Sequence, residues 1–158
     1  MRILSGRSGI NAYSEVTRLI ERLHRRYLDV IRFELSKLGV EEVNAVQALL
    51  LMNVQHSEMT IRELVERGYH VGSNVTYNVR QLVDAGYVEQ HRSERDRRSV
   101  KLKLTQKGLD LCSRLSEMES RHGESLLKLD GGNESDKGRD LLRALERVWS
   151  DYIQYGAH

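Results

Sequence analysis

Residues 75–108 read "VTYNVRQLVDAGYVEQHRSERDRRSVKLKLTQKG", and the spacing of apolar residues changes inside this stretch. Before Gly86 the spacing is that of a helix: Val75, Val79, Leu82 and Val83 share one face. After Gly86 the period is two. Tyr87 to His91 reads as one strand and Ser99 to Leu104 as another. In the second, Val100, Leu102 and Leu104 share one face, with Lys101 and Lys103 on the other. Gly86 stands just past the helix, where a positive φ costs glycine little. The segment between the strands, "RSERDRR", is too polar to bury and predicts the exposed tip of a hairpin. Two short strands are stable only when packed on helices.

Those helices are legible on both sides. Upstream, the turn "GYHVG" leads into a helix that starts at Gly72 or Ser73. Before it, Thr60 is the expected N-cap of a short helix over 60–67 that buries Ile61, Leu64 and Val65 and ends at Gly68. Residues 41–55 predict another helix, with Val43, Val46, Leu49 and Leu50 inward. A long helix over 14–38 carries Val16, Leu19, Ile20, Leu23, Tyr27, Ile31 and Leu35 on one stripe, with Ser14 as N-cap and Gly39 as its stop. Downstream, Thr105 caps a helix whose inward set is Leu109, Cys112, Leu115, Met118, His122, Leu126 and Leu129. A turn-rich "DGGNESD" at 130–136 precedes a last helix over 135–155. The expected fold is mainly α with a small β-hairpin. A winged helix-turn-helix spans 41–104, and helical dimerisation regions span 1–40 and 105–158. The absence of proline suits so helical a chain.

The middle has the composition of a nucleic-acid reader. In a helix-turn-helix the second helix enters the major groove, led by its N-terminal residues. Here these are Ser73, Asn74, Thr76, Tyr77, Asn78 and Arg80. Asn pairs bidentately with adenine, Arg with guanine, and a Thr methyl meets the thymine methyl. Net charge is only +2, but the cations are concentrated. Arg92, Arg95, Arg97, Arg98, Lys101 and Lys103 face only Glu94 and Asp96 over the same stretch. A hairpin tip bearing Arg95, Arg97 and Arg98 suits a narrow minor groove, where the potential is most negative. Asp96 is expected to hold one arginine in place through a charge-assisted hydrogen bond.

The stretch 75–108 resembles the recognition-helix-to-wing signature of MarR-type winged-helix regulators. Its most specific part is Asp96-Arg97-Arg98, followed by apolar alternation and "LTQKG". The resemblance implies a homodimer whose terminal helices interlock across a two-fold axis. The two lobes then read a pseudo-palindromic operator, with recognition helices about one DNA turn (~34 Å) apart. It also implies a repressor, sometimes an activator, often released from DNA by a small aromatic or phenolic effector or by cysteine oxidation. Two places depart from the family pattern. Glu89 and Gln90 stand where Arg or Lys is frequent, and "GYHVGSN" replaces a shorter serine-rich entry to the recognition helix.

The dimer also follows from the residues. The terminal helices carry more apolar surface than one winged domain can cover, which marks an interface. Val16, Leu19, Leu23, Leu141, Leu145, Val148, Trp149 and Tyr152 are its expected members. Tyr13, His24, Tyr27 and His122 are candidates for lining an effector pocket between dimer helices and winged domain. Cys112 is a candidate redox sensor, if Lys107, Arg114 and the helix N-terminus lower its pKa; otherwise it is a small buried hydrophobe.

Other classes find no support. A lone cysteine excludes an internal disulfide. No signal peptide or membrane span is visible, so a cytoplasmic protein is expected. There is no glycine-rich phosphate loop, nucleophile elbow or zinc motif, and no metal-ligand spacing. Neither an enzyme nor a cofactor is expected. Two readings remain: a dimeric, sequence-specific double-stranded DNA-binding transcription regulator, or a winged-helix module for protein interaction or non-specific DNA architecture.

Overall fold

A computed structural model describes residues 3–55, 57–66, 72–92, 99–130 and 133–156. The elements run α1 (Ile3–Lys37), α2 (Ala45–Val54), β1 (Met59–Thr60), α3 (Ile61–Glu66), α4 (Gly72–Asp84), β2 (Val88–Arg92), β3 (Val100–Leu104), α5 (Gln106–Asp130) and α6 (Asn133–Tyr155). The fold is the expected mainly helical one, with one addition. The sheet has three antiparallel strands in the order β1-β3-β2, so the hairpin gains a partner in Met59–Thr60. Two residues are too short to show a period, which is why the sequence reads them only as the approach to α3.

Local signals set most helix ends. Thr60 and Glu63 form a reciprocal cap on α3: the Glu63 N–H donates to Thr60 Oγ1 at 3.1 Å, and the Thr60 N–H donates to Glu63 Oε2 at 2.6 Å. Gly39 and Gly86 take φ of 68° and 80°, which end α1 and α4 as expected. Thr105 caps α5 by accepting from the Gly108 N–H at 3.2 Å.

Two starts differ from expectation. α1 runs straight through Ser14, whose carbonyl accepts from Thr17 Oγ1 at 3.0 Å inside the helix. Serine favours caps, but nothing upstream of it breaks the helix. α2 begins at Ala45, later than 41, because Asn44 caps it. Asn44 Oδ1 accepts from the Gln47 N–H at 2.9 Å, while Gln47 Oε1 accepts from the Asn44 N–H at 3.0 Å. The pattern N-x-x-Q was legible as a capping box.

The chain divides into two compact units, residues 1–115 and 116–158. The first has one core. Ile31 and Leu35 from the end of α1 meet Leu50, Leu51 and Val54 of α2, Leu64 of α3, Val75, Val79 and Leu82 of α4, and Leu102 and Leu104 of β3. Leu111, Cys112 and Leu115 of α5 complete it. The second unit comprises the remainder of α5 and α6. Met118 is buried, but His122, Leu126 and Leu129 are exposed rather than inward.

Candidate nucleic-acid interface

The recognition face is built from α4. Val75, Val79 and Leu82 are at most 1% exposed, so one side of the helix is fully seated. The other side carries Asn74, Thr76, Tyr77 and Arg80, all exposed, with Tyr77 at 63%. Arg80 has no ion-pair partner among the described residues. No acidic residue stands in the first turn to offset the positive end of the helix. The backbone of Ser73 lies in that turn, where N–H groups favour an anion.

Asn78 is a correction. It was expected on the outward face, but it is 8% exposed and its Oδ1 accepts from Gln47 Nε2 at 3.3 Å. The reason is geometric. At ~100° per residue, position 78 lies about 40° beyond Leu82 on the helical circle, at the edge of the inward stripe. Asn78 therefore joins α4 to the capping residue of α2.

The wing rises beside this helix. Register pairs Arg92 with Val100, His91 with Lys101, Gln90 with Leu102, Glu89 with Lys103 and Val88 with Leu104. Leu102 and Leu104 turn into the core, while Lys103 and Glu89 are exposed. Val100, on the same face as Leu102, is 41% exposed because it lies toward the tip. Glu58, just before β1, lies 3.3 Å from His91 Nε2 of β2 and 3.9 Å from Lys101 Nζ of β3. Arg92 is exposed at the end of β2. Arg95, Asp96, Arg97 and Arg98 lie outside the described residues.

A polar clasp that the sequence did not announce ties the end of α4 to the start of α5. Lys107 Nζ lies 3.0 Å from Glu42 Oε1, donates to the Ala85 carbonyl at 2.9 Å and sits 4.2 Å from the centre of the Tyr87 ring. Tyr87 Oη donates to Glu42 Oε1 at 2.8 Å. Thr105 Oγ1 donates to the Gly86 carbonyl at 2.6 Å. A Cβ on Gly108 would lie 2.3 Å from the Tyr87 carbonyl oxygen, so only glycine permits this approach. A hydrogen bond to its own backbone N–H, then those from Lys107 and Tyr87, hold the Glu42 carboxyl down at about 2. Burial first, and the bond to Glu42 second, push Tyr87 up to about 12.

The family follows from sequence comparison. A model of the MarR family matches residues 42–99, the span from Glu42 of the clasp to the end of the wing loop. An exopolysaccharide II synthesis transcriptional activator, ExpG of Rhizobium meliloti (strain 1021), is 35% identical over 152 residues, covering 96% of this chain and 78% of its own. The chain belongs to the MarR family of transcriptional regulators. The fold agrees. The regulator BldR from Sulfolobus solfataricus superimposes with a TM-score of 0.70 at 22% identity, over 87% of this chain and 97% of its own. Streptococcus pneumoniae FabT, solved in complex with DNA, gives 0.73 at 19% identity, over 88% and 98%.

Three expectations for this MarR chain can be placed. The apolar faces of the terminal helices are open: Leu19, Leu23, Leu141, Val148, Trp149 and Tyr152 are exposed, and Val16 and Leu145 are half-buried. The expected effector residues are not brought together by any cavity described. Tyr13 and His24 are exposed on α1, Tyr27 packs against the core, and His122 is exposed on α5. A cavity of about 230 Å³ does exist, but Leu38, Val40, Tyr87 and Leu111 line it with α5 charges. Cys112 is 3% exposed, and burial pushes its thiol up to about 11. A thiolate sensor needs access and a lowered pKa. Cys112 is the small buried hydrophobe of the two readings.

Among the described residues, no helix is long and apolar enough to cross a membrane, and no group of three or more His, Cys, Asp or Glu is placed to hold a metal ion.

Proposed function

We propose that this chain is a homodimeric, sequence-specific double-stranded DNA-binding regulator of transcription, acting in the cytoplasm. The observation that carries the reading is the two-sidedness of α4. One face is locked into the core by Val75, Val79 and Leu82, and the other presents Asn74, Thr76, Tyr77 and Arg80 to solvent. A rigid helix with exposed base-reading side chains is what major-groove readout requires. Ser73 and the backbone N–H groups of the first turn take a phosphate. Arg92, Arg95, Arg97 and Arg98 enter the adjacent minor groove, with Asp96 orienting one of them.

Residues 41–104 form the reading module, and 1–40 with 105–158 the dimerisation region. Exposed Leu19, Leu23, Leu141, Val148, Trp149 and Tyr152 support the dimer, because apolar stripes of this extent mark an interface. Its two-fold symmetry selects a pseudo-palindromic operator. The relative of 35% identity is an activator, which favours activation over the repression expected of the family at large.

Selection of bound sites from random duplexes at ~150 mM salt tests the reading, since non-specific binding weakens steeply as salt rises. The expected result is an inverted repeat with half-sites about ten base pairs apart. Recovery of unselected sequence alone would replace it with the architectural or protein-binding module. A promoter fusion carrying the selected site, with and without the protein, reads the sign of regulation.

A further inference from the structure

One cavity of the first unit has no α4 residue in its lining. Its volume is about 230 Å³. Leu38 and Val40, just past α1, and Leu111 of α5 give it an apolar wall, beside Tyr87. Lys107, Asp110 and Arg114, from the first turns of α5, supply its charge.

These three charges differ in how they are satisfied. Lys107 is engaged by Glu42 at 3.0 Å and by the Ala85 carbonyl at 2.9 Å. Asp110 and Arg114 are four residues apart on one helix, the spacing at which opposite charges commonly pair. Here they do not. Asp110 Oδ1 accepts only from the neutral Gln106 Nε2, at 2.8 Å, and Arg114 has no partner among the described residues. The cavity is thus lined by an anion and a cation that form no ion pair among the described residues, about one helical turn apart, next to an apolar wall.

We propose that this cavity binds a free α-amino acid with an apolar side chain. The carboxylate meets the Arg114 guanidinium, whose paired N–H donors match its two oxygens. The ammonium meets Asp110. The side chain covers Leu38, Val40 and Leu111. A zwitterion carries both charges on one carbon and satisfies both partners at once. A simple carboxylic acid would leave its anion facing Asp110, and a simple amine would leave its cation facing Arg114. Size points the same way, since the cavity is smaller than the ~300–1,000 Å³ of sites for larger ligands.

The test is a titration of the full chain, free of DNA, followed in amide nitrogen–proton correlation spectra. The probes are L-leucine, isocaproate (leucine without its ammonium) and isoamylamine (leucine without its carboxylate). L-leucine is expected to shift amides at 107–114 saturably, and each truncated probe to bind about tenfold more weakly or worse. Arg114→Gln and Asp110→Asn should each weaken L-leucine by about tenfold or more. Asp110→Asn should at the same time strengthen isocaproate, because the repelling anion is gone. Both positions are exposed, so spectra elsewhere should stay unchanged. The proposal is overturned by no saturable shift with L-leucine, by isocaproate equalling L-leucine on the native chain, or by native affinity in both variants. Because no DNA is present, the result stands apart from that of site selection.

Discussion

Helices α2 and α6 solve opposite problems. α2 reads AVQALLLMNV and is apolar almost all round, with Ala45, Gln47, Ala48, Leu50, Leu51 and Val54 buried inside the first unit. α6 alternates charge with an apolar stripe, and the stripe is open: Val148 is 62% exposed and Ile153 83%. The same chemistry, aliphatic side chains on a helix, is satisfied within the chain in one place and left unsatisfied in the other. A helix hydrophobic on every side must be enclosed by its own fold. An amphipathic helix with an uncovered stripe has the character of an interface, and in the proposed dimer a second copy covers it.

The largest expected effect breaks the enclosed side. Leu51→Ala should cost about 2–5 kcal/mol in urea unfolding, because Leu51 is 0% exposed and leaves a cavity among packed neighbours. At the open side, Leu141→Glu with Val148→Glu should leave the winged unit folded by circular dichroism. The same pair should weaken the proposed dimer by roughly 100-fold, about 2.7 kcal/mol, in sedimentation equilibrium. A native-like dimer in that variant would remove α6 from the interface.

A finer version of the contrast lies on the two faces of α4. Gln47→Ala strands the buried Asn78 amide and should cost about 1–3 kcal/mol of stability, seen as a shifted denaturation midpoint. Asn74→Ala should leave stability within about 0.5 kcal/mol. It should instead lose about 1–3 kcal/mol of base preference at one operator position in competition binding. If Asn74→Ala lowered affinity for all sequences equally, its role in base readout would be lost.

The smallest effects are those of the clasp on the pH dependence of stability. Glu42 is depressed from 4.5 to about 2, so its contribution is complete above 4.5 and disappears as pH falls through about 2. Tyr87 is raised from 10.0 to about 12, so its contribution is complete below 10.0 and disappears as pH rises through about 12. Glu42→Gln should flatten the acid limb of a melting-temperature profile, and Tyr87→Phe the alkaline limb. The buried Cys112, raised from 9.0 to about 11, keeps its own alkaline loss in the Tyr87 variant. Glu42 is exposed, so solvent screening keeps its effect on stability small.

Much of this was legible because it is local. Thr60, Gly86 and Thr105 mark helix ends through hydrogen bonds and a φ angle that involve residues three or four away, and a linear reading reaches that far. The change of period at Gly86 gives the helix-to-strand junction for the same reason. Asn78 was misplaced by judging it on its chemistry, since its phase set it beside Leu82 at the edge of the seated stripe, where packing against α2 decides burial. Ser14 misled because a cap preference of about 1 kcal/mol does not end a helix that its neighbours continue.

By itself, then, the sequence determined the order of helices and strands, the cationic loop and the seated face of α4, all of which rest on periodicity and short-range hydrogen bonding. Only the tertiary structure decided what depends on contacts between residues far apart in the chain. It paired Met59 with Leu102 to make a third strand. It brought Glu42, Tyr87 and Lys107 into one clasp, and Gln47 against Asn78. It buried Cys112 and raised its pKa. It also left Asp110 and Arg114 beside an apolar wall with no ion pair among the described residues. No periodicity encodes such meetings, because each is fixed by how separate elements pack.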